Sequence, residues 1–387
     1  MMVLSLISLL AAIDLVCCAV VPGRGFDRII SIWLENQDFA KVVADSDFAD
    51  LLRFGILQTR YYAHTHPSQP NYLAAVAGDY WGLDHDEFVR IPSNISTVVD
   101  LLDTKGISWA GYFEGIPGPG YMGVGSIGKT STPSGAWDYV RKHNPFVSYD
   151  SINLNGTRLA NLLSFEDFKR DLKAGTVPQF VMMSPDMLND GHNTTLDYAT
   201  KWAYEFLMPL LLDDVFAEKT IIQLTYDETE DYSQPNRIVS LLLGNAIPDG
   251  QKGSQDDTFY THFSLLSTIE NNWELPNLGR YDVGANVFKL VADVTGYENK
   301  EPPNVLSVNN SVSYPGPLNT NHTTKRTDYP PPNLMLNGPG GLPVLSDIRE
   351  TWQSHAESET PYDGSGSVYD GDNLPVYKAQ AEHARSS

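Results

Sequence analysis

One short stretch, His64 to Asp86 (HTHPSQPNYLAAVAGDYWGLDHD), gathers two histidines, a proline-flanked serine, an asparagine and several acids. Ser68 is its central hydroxyl, and the small apolar run Tyr72–Ala77 that follows reads as a helix. A hydroxyl at the entrance to a helix lies where free backbone N–H groups and the helix dipole favour an anion. A nucleophile aimed at an anionic substrate would be presented in this way. A proline-rich turn with a serine N-cap has the same residues, so the two readings part only on what the rest of the chain supplies.

The chain supplies polar sets at the ends of buried strands. Arg28–Leu34 (RIISIWL) is nearly continuous in apolar residues, as a strand covered on both faces requires, and it stops at Glu35, Asn36, Gln37 and Asp38. Val177–Ser184 runs into Asp186, Asp190 and His192, and Lys219–Tyr226 into Asp227 and Glu228. Lys142 and His143 stand before an Asn-Pro turn, and His262 opens a helix that continues to Trp273. Singly, these are a polar turn, an Asx turn with an exposed histidine, a solvated lysine and a polar first-turn residue. Asp/His sets at strand ends are also a common metal-ligand arrangement.

The elements that must position them alternate. Strands are expected at 28–34, 56–62, 108–114, 177–184, 219–226 and 238–244. Helices are expected from the first strand's end to about Phe54, over 95–105, over 162–173 (Ser164 capping and Asp167 answering it), over 196–212 and over 262–273. This pattern predicts an α/β fold: a three-layer sandwich with a mostly parallel central sheet. Strand carboxyl ends then share one edge, where the polar sets can converge. Carboxylates and imidazoles crowded around a hydroxyl call for a cation, and a bound divalent metal ion would also lower the pKa of the serine it touches.

Composition narrows the class. The chain has 387 residues, 42% of them hydrophobic, enough for one large core. Its net charge of −22 argues against nucleic acid or an anionic membrane surface as partner. Residues 1–19 read as a signal peptide; Asp14 makes the run a poor membrane anchor. Both cysteines, Cys17 and Cys18, fall inside it, so the mature chain would have neither disulfide nor thiol chemistry. Sequons at Asn94, Asn155, Asn193, Asn309 and Asn321 favour a secreted, extracellular or cell-wall protein carrying N-glycans. Residues 20–300 are expected to form the catalytic domain. Residues 301–387, rich in Pro, Asn and Ser, are expected to form a tail, draped on it or partly disordered.

The segments IISIWLENQDF, HTHPSQPNYLAAVAGD, VRKHNPF, SPDMLNDGH, TYDE and HFSLLSTIENNWELPNLGR resemble those of the phosphoesterase family that includes fungal secreted acid phosphatases. The likeness spans Phe26 to Gly296, and it implies an alkaline phosphatase-like fold and hydrolysis of small phosphomonoesters. It implies Ser68 as nucleophile, through a phosphoserine intermediate. Glu35, Asn36, Asp227 and Glu228 match metal-holding positions, with Asp190 beside them, and Asn71 matches the position that binds a phosphoryl oxygen. Lys142 and His143 match a segment that brings positive charge to the phosphate. His192 and His262 match imidazoles that complete a second metal site or protonate the leaving group. One departure is Asn193, which stands where an Asp is expected after DGH. A phospholipase C-like phosphodiesterase is the alternative, with Tyr121, Trp137 and Tyr139 as a possible apolar rim. An inactive, glycosylated binding protein is the third reading, and it would require a broken nucleophile or ligand set.

Overall fold

The computed structural model describes residues 20–124, 139–303, 305, 310–321, 327–356 and 358–369. The expected leader, Asn309 and residues 125–138, Trp137 among them, lie outside the described residues. Among the described residues eight strands form one sheet: β1 Arg28–Leu34, β2 Gly55–Tyr62, β3 Trp109–Phe113, β4 Leu162–Leu163, β5 Phe180–Ser184, β6 Thr220–Tyr226, β7 Arg237–Leu243 and β8 Ser254–Thr261. Their order is β4-β3-β5-β1-β6-β7-β2-β8. β7 is antiparallel to both β6 and β2, and the other pairings are parallel. The α/β expectation therefore holds.

Consecutive residues are buried along β1, β3, β5 and β6, so both faces of the sheet are covered. Helix Ser68–Ala77 packs with Phe263–Trp273, and Ser46–Leu52 with Leu196–Leu211. Apolar strands of this kind can slip in register, and a buried polar ladder opposes that. Ser31 donates to Gln223 (2.9 Å), Gln223 to Ser240 (3.0 Å) and Ser240 to Gln58 (2.7 Å), linking β1, β6, β7 and β2. A one-step slip would leave these buried groups unpaired, at roughly 1–3 kcal/mol each.

Several boundaries differ from those the sequence predicts. The helix expected to run to Phe54 is two, Phe39–Val43 and Ser46–Leu52, because the Asp45 side chain caps the second by accepting from the Asp47 and Phe48 N–H groups. Leu162–Leu163 is a short strand, and Ser164 caps the helix Phe165–Ala174 with Asp167 completing the capping box. β8 (SQDDTFYT) was not expected. It begins with exposed polar residues, buries the acid Asp256 among them and buries apolar side chains only in its later part, so its apolar signal is weak.

Beyond Glu301 the described chain is bound into the same core. Tyr314, Val344, Ile348, Trp352 and Tyr362 are all buried. Buried Asp79, just past the helix Ser68–Ala77, accepts hydrogen bonds from the Tyr80 and Trp81 N–H groups and from the hydroxyls of Tyr314 and Tyr362 (the last at 2.5 Å). Two hydroxyls of the last ninety residues are thus tied to the turn behind Ser68. Tyr362→Phe should destabilise the fold by about 1–2 kcal/mol, since Asp79 keeps its other donors. Urea unfolding checks this, and an unchanged midpoint would mean that the tie carries no stability.

Candidate active site

The carboxyl ends of β1, β5 and β6 bring Glu35, Asp190, Asp227 and Glu228 together, all buried. β2 leads into His64–Pro67, and Ser68 begins the helix Ser68–Ala77, whose residues are all buried. The turn before Ser68 is clamped by amides. Asn71 accepts from the His64 N–H (2.8 Å) and donates to the Thr65 carbonyl (2.8 Å). Asn236 donates to the Thr65 and Asn310 carbonyls, and Asn310 to that of Ala63. At the other end of the helix, the buried Arg280 guanidinium donates to the Ala77 carbonyl (2.9 Å). The Ser68 hydroxyl is thereby fixed from both sides.

Ser68 Oγ accepts from Lys142 Nζ at 3.0 Å and donates to Glu228 Oε1 at 3.4 Å. Lys142 also meets Glu35 Oε1 at 3.1 Å and Asp86 Oδ2 at 3.3 Å. Burial opposes its charge, but Glu35, Asp86 and Asp227 hold the ammonium above its ordinary pKa, so it stays protonated. Burial would likewise raise the Glu35 carboxyl. The charge and hydrogen bond of His143, with Lys142 behind them, hold it well below the usual carboxylate range.

The other three acids lie in the opposite direction. Asp190 and Asp227 are pushed well above the usual range by burial and then by the Glu35 charge, and Glu228 by burial and then by Asp227. Glu35 Oε2, Asp190 Oδ2 and Asp227 Oδ2 are buried without hydrogen-bond partners. Among the described residues no three such side chains already form a ligand cluster. Three orphaned carboxylate oxygens on one edge are nevertheless a donor set that suits a hard divalent cation. Asn36 is half-buried and touches the cluster through its backbone N–H, which donates to Asp227 Oδ1 (3.1 Å).

The histidines divide. His143 Nε2 meets Glu35 Oε1, and its ring stacks on Tyr72. His192 is partly exposed, with Nε2 at 3.5 Å from Glu35 Oε2 and Nδ1 at 3.1 Å from Asn193 Oδ1. His262 does not reach the pocket. Its Nε2–H donates to the Asp227 carbonyl (2.8 Å), and its ring is fully buried, stacked on Trp33. It therefore positions the Asp227 backbone from behind, and the expectation of a leaving-group acid is corrected. Asn71 is corrected too. Its amide is committed to the turn 64–67, so it shapes the loop that presents Ser68 instead of meeting a phosphoryl oxygen.

Sequence reading passed over His66 as a site residue. It is buried, with Nδ1 at 2.6 Å from Glu228 Oε2, and burial lowers its pKa to about 4. The HTHPS spelling was a signal, since alternate residues of an extended lead-in face the same side. Tyr139 is buried and bonded to Asn144, so it is not part of an apolar rim; Trp137 lies outside the described residues. Asn94, Asn155, Asn193 and Asn321 are exposed.

Residues 44–276 match the model of the Phosphoesterase family. The chain is 45% identical over 355 residues to a probable acid phosphatase of Kluyveromyces lactis, covering 91% of this chain and 82% of that one. It is also 45% identical over 361 residues to a phosphate-repressible acid phosphatase of Penicillium chrysogenum, covering 92% and 85%. The chain belongs to the phosphoesterase family. Among solved structures, a Vibrio parahaemolyticus protein titled as one of the alkaline phosphatase superfamily is similar at TM-score 0.42 and 12% identity, over 63% of this chain and 65% of that one. That likeness is too distant to bear on the site, and the α/β layering stands on the strand order itself.

The buried histidines carry a pH signature. Burial lowers His262 from 6.5 to about 3, so below 6.5 the unfolded chain takes up a proton that the folded one refuses. Its contribution to stability is full above 6.5 and declines as pH falls toward 3. His262→Gln, which keeps an N–H for the Asp227 carbonyl, removes that decline. Its unfolding free energy should fall less steeply with acidification than the wild type's, by up to about 1.4 kcal/mol per pH unit. Urea titrations across this range measure the two slopes, and parallel slopes would contradict the assignment.

Proposed function

We propose that this phosphoesterase-family chain is an acid phosphatase that hydrolyses phosphomonoesters through a phosphoserine on Ser68. The observation that carries the reading is the setting of the Ser68 hydroxyl, between a protonated ammonium at 3.0 Å and a carboxylate at 3.4 Å. Lys142 stabilises the oxygen as its proton leaves, and Glu228, which burial and Asp227 push toward the protonated form, would take that proton once positive charge in the site has ionised it. Oγ attacks phosphorus, the bond to the leaving oxygen breaks, and water later releases phosphate from the serine. Lys142 offsets the chain's negative field where the phosphoryl charge gathers, while His143, whose own charge burial disfavours, is held against Glu35 beside it. His192, partly exposed and 3.5 Å from Glu35 Oε2, would protonate the leaving oxygen.

Glu35, Asn36, Asp190, Asp227 and Glu228 are the residues that would hold a divalent ion. Such an ion would neutralise the carboxylates and lower the pKa of the serine hydroxyl. The names of the two fungal relatives support the phosphomonoester reading. Exposed sequons support secretion as a glycoprotein, and among the described residues no helix is long and apolar enough to cross a membrane. The lipid-cleaving alternative loses Tyr139 from its rim, because that ring is buried.

Ser68→Ala should lower p-nitrophenyl phosphate turnover by at least about 10³-fold while leaving the circular dichroism unchanged. Retained turnover would remove Ser68 as nucleophile. In the same assay the wild type should cleave the monoester faster than bis-p-nitrophenyl phosphate or phosphatidylcholine. The opposite order would favour the phosphodiesterase.

A further inference from the structure

Next to the nucleophile is a cleft of about 390 Å³, within the range of small-ligand pockets. His66 and Pro67 form its inner side, where the chain turns into Ser68, and Tyr232, from the loop between β6 and β7, stands beside them. Ser311, Val312, Asn319 and the sequon residue Asn321 of the C-terminal segment also line it. Two large apolar side chains are left exposed here, Tyr232 at 53% and Val312 at 54%. The Tyr232 ring is nevertheless held in place: it lies parallel on His66, with centroids 3.7 Å apart and planes 22° apart. His66 is in turn fixed by Glu228. An exposed aromatic ring, immobilised on one face and open on the other, is a stacking platform.

Nothing in the reaction at Ser68 needs such a platform; the rest of the substrate does. Pro67 and His66 line the cleft and precede Ser68 in the chain, so a substituent long enough to reach past them from the phosphoryl group enters it. We propose that this cleft is a leaving-group subsite that selects phosphomonoesters with a planar aromatic substituent, an aryl ring or a nucleotide base, stacked on Tyr232 against Val312. The proposal rests on the phosphatase reading and adds its substrate preference. The C-terminal segment then has a role beyond stability, because it supplies part of the cleft's lining.

The test compares kcat/KM for p-nitrophenyl phosphate and adenosine monophosphate with that for glycerol phosphate, which has no ring. It uses wild type, Tyr232→Phe, Tyr232→Ala and Tyr232→Leu. Intrinsic leaving-group reactivity cancels when each variant is divided by wild type. Tyr232→Phe should keep the preference. Tyr232→Ala and Tyr232→Leu should lose roughly tenfold on planar substrates and less than about twofold on glycerol phosphate. Leucine still covers His66 but offers no flat face, which separates stacking from mere shielding. A loss on adenosine monophosphate alone assigns the subsite to a base, and a loss on both planar substrates assigns it to any aromatic ring. Equal losses on all three substrates, or a leucine variant equal to wild type, would overturn the subsite. If wild type hydrolysed none of the three, the phosphatase reading itself would fall, and the subsite with it.

Discussion

Four carboxylates, Glu35, Asp190, Asp227 and Glu228, are held out of water at the carboxyl edge of a mostly parallel sheet. That burial is the constraint on which the rest of the structure depends. Isolated buried charges are costly, and like charges close together cost more. Lys142 and His143 settle the account for Glu35, which stays ionised. The other three are pushed toward the protonated form, and two of them keep an oxygen with no partner. A site of this kind is under tension until positive charge enters it, and a phosphate ester cannot enter alone, because it is itself an anion. Cation and substrate are complementary demands of one arrangement.

The surrounding structure keeps that arrangement from relaxing. Amides of Asn71, Asn236 and Asn310 occupy the carbonyls and N–H groups of the turn before Ser68, so the hydroxyl does not share its position with alternative loop shapes. Arg280 and Asp79 do the same for the far end of the helix, and His262 for the Asp227 backbone. Asn310, Tyr314 and Tyr362 all belong to the C-terminal segment. The part of the chain with the least periodic sequence is thus built into the support of its most chemically committed residue.

The sheet and the site edge were legible because buried parallel strands are written as apolar runs, and two of these runs stop at an acid: RIISIWL at Glu35, KTIIQLTY at Asp227. β8 was not legible, since Ser254–Asp257 is polar throughout, its one buried member being Asp256, and the buried run is only Phe259–Thr261. The antiparallel course of β7 is a matter of topology that no local pattern encodes. Asn71 and His262 show a different limit. Residue type and proximity to a motif identified them as belonging to the site, but not whether an amide or imidazole meets substrate or backbone. That depends on which partner lies within hydrogen-bond reach. His66 was passed over for the converse reason: its partner, Glu228, is remote in sequence and adjacent only in the fold.

The central claim is that the carboxylate edge is completed by a divalent cation beside Ser68. The most direct measurement is elemental analysis of the purified protein, alongside Asp227→Asn, after exhaustive dialysis against metal-free buffer. The account predicts at least one divalent ion per wild-type chain, reduced in the variant, with hydrolysis falling in step with metal content. Wild-type protein that is free of metal and fully active would contradict it.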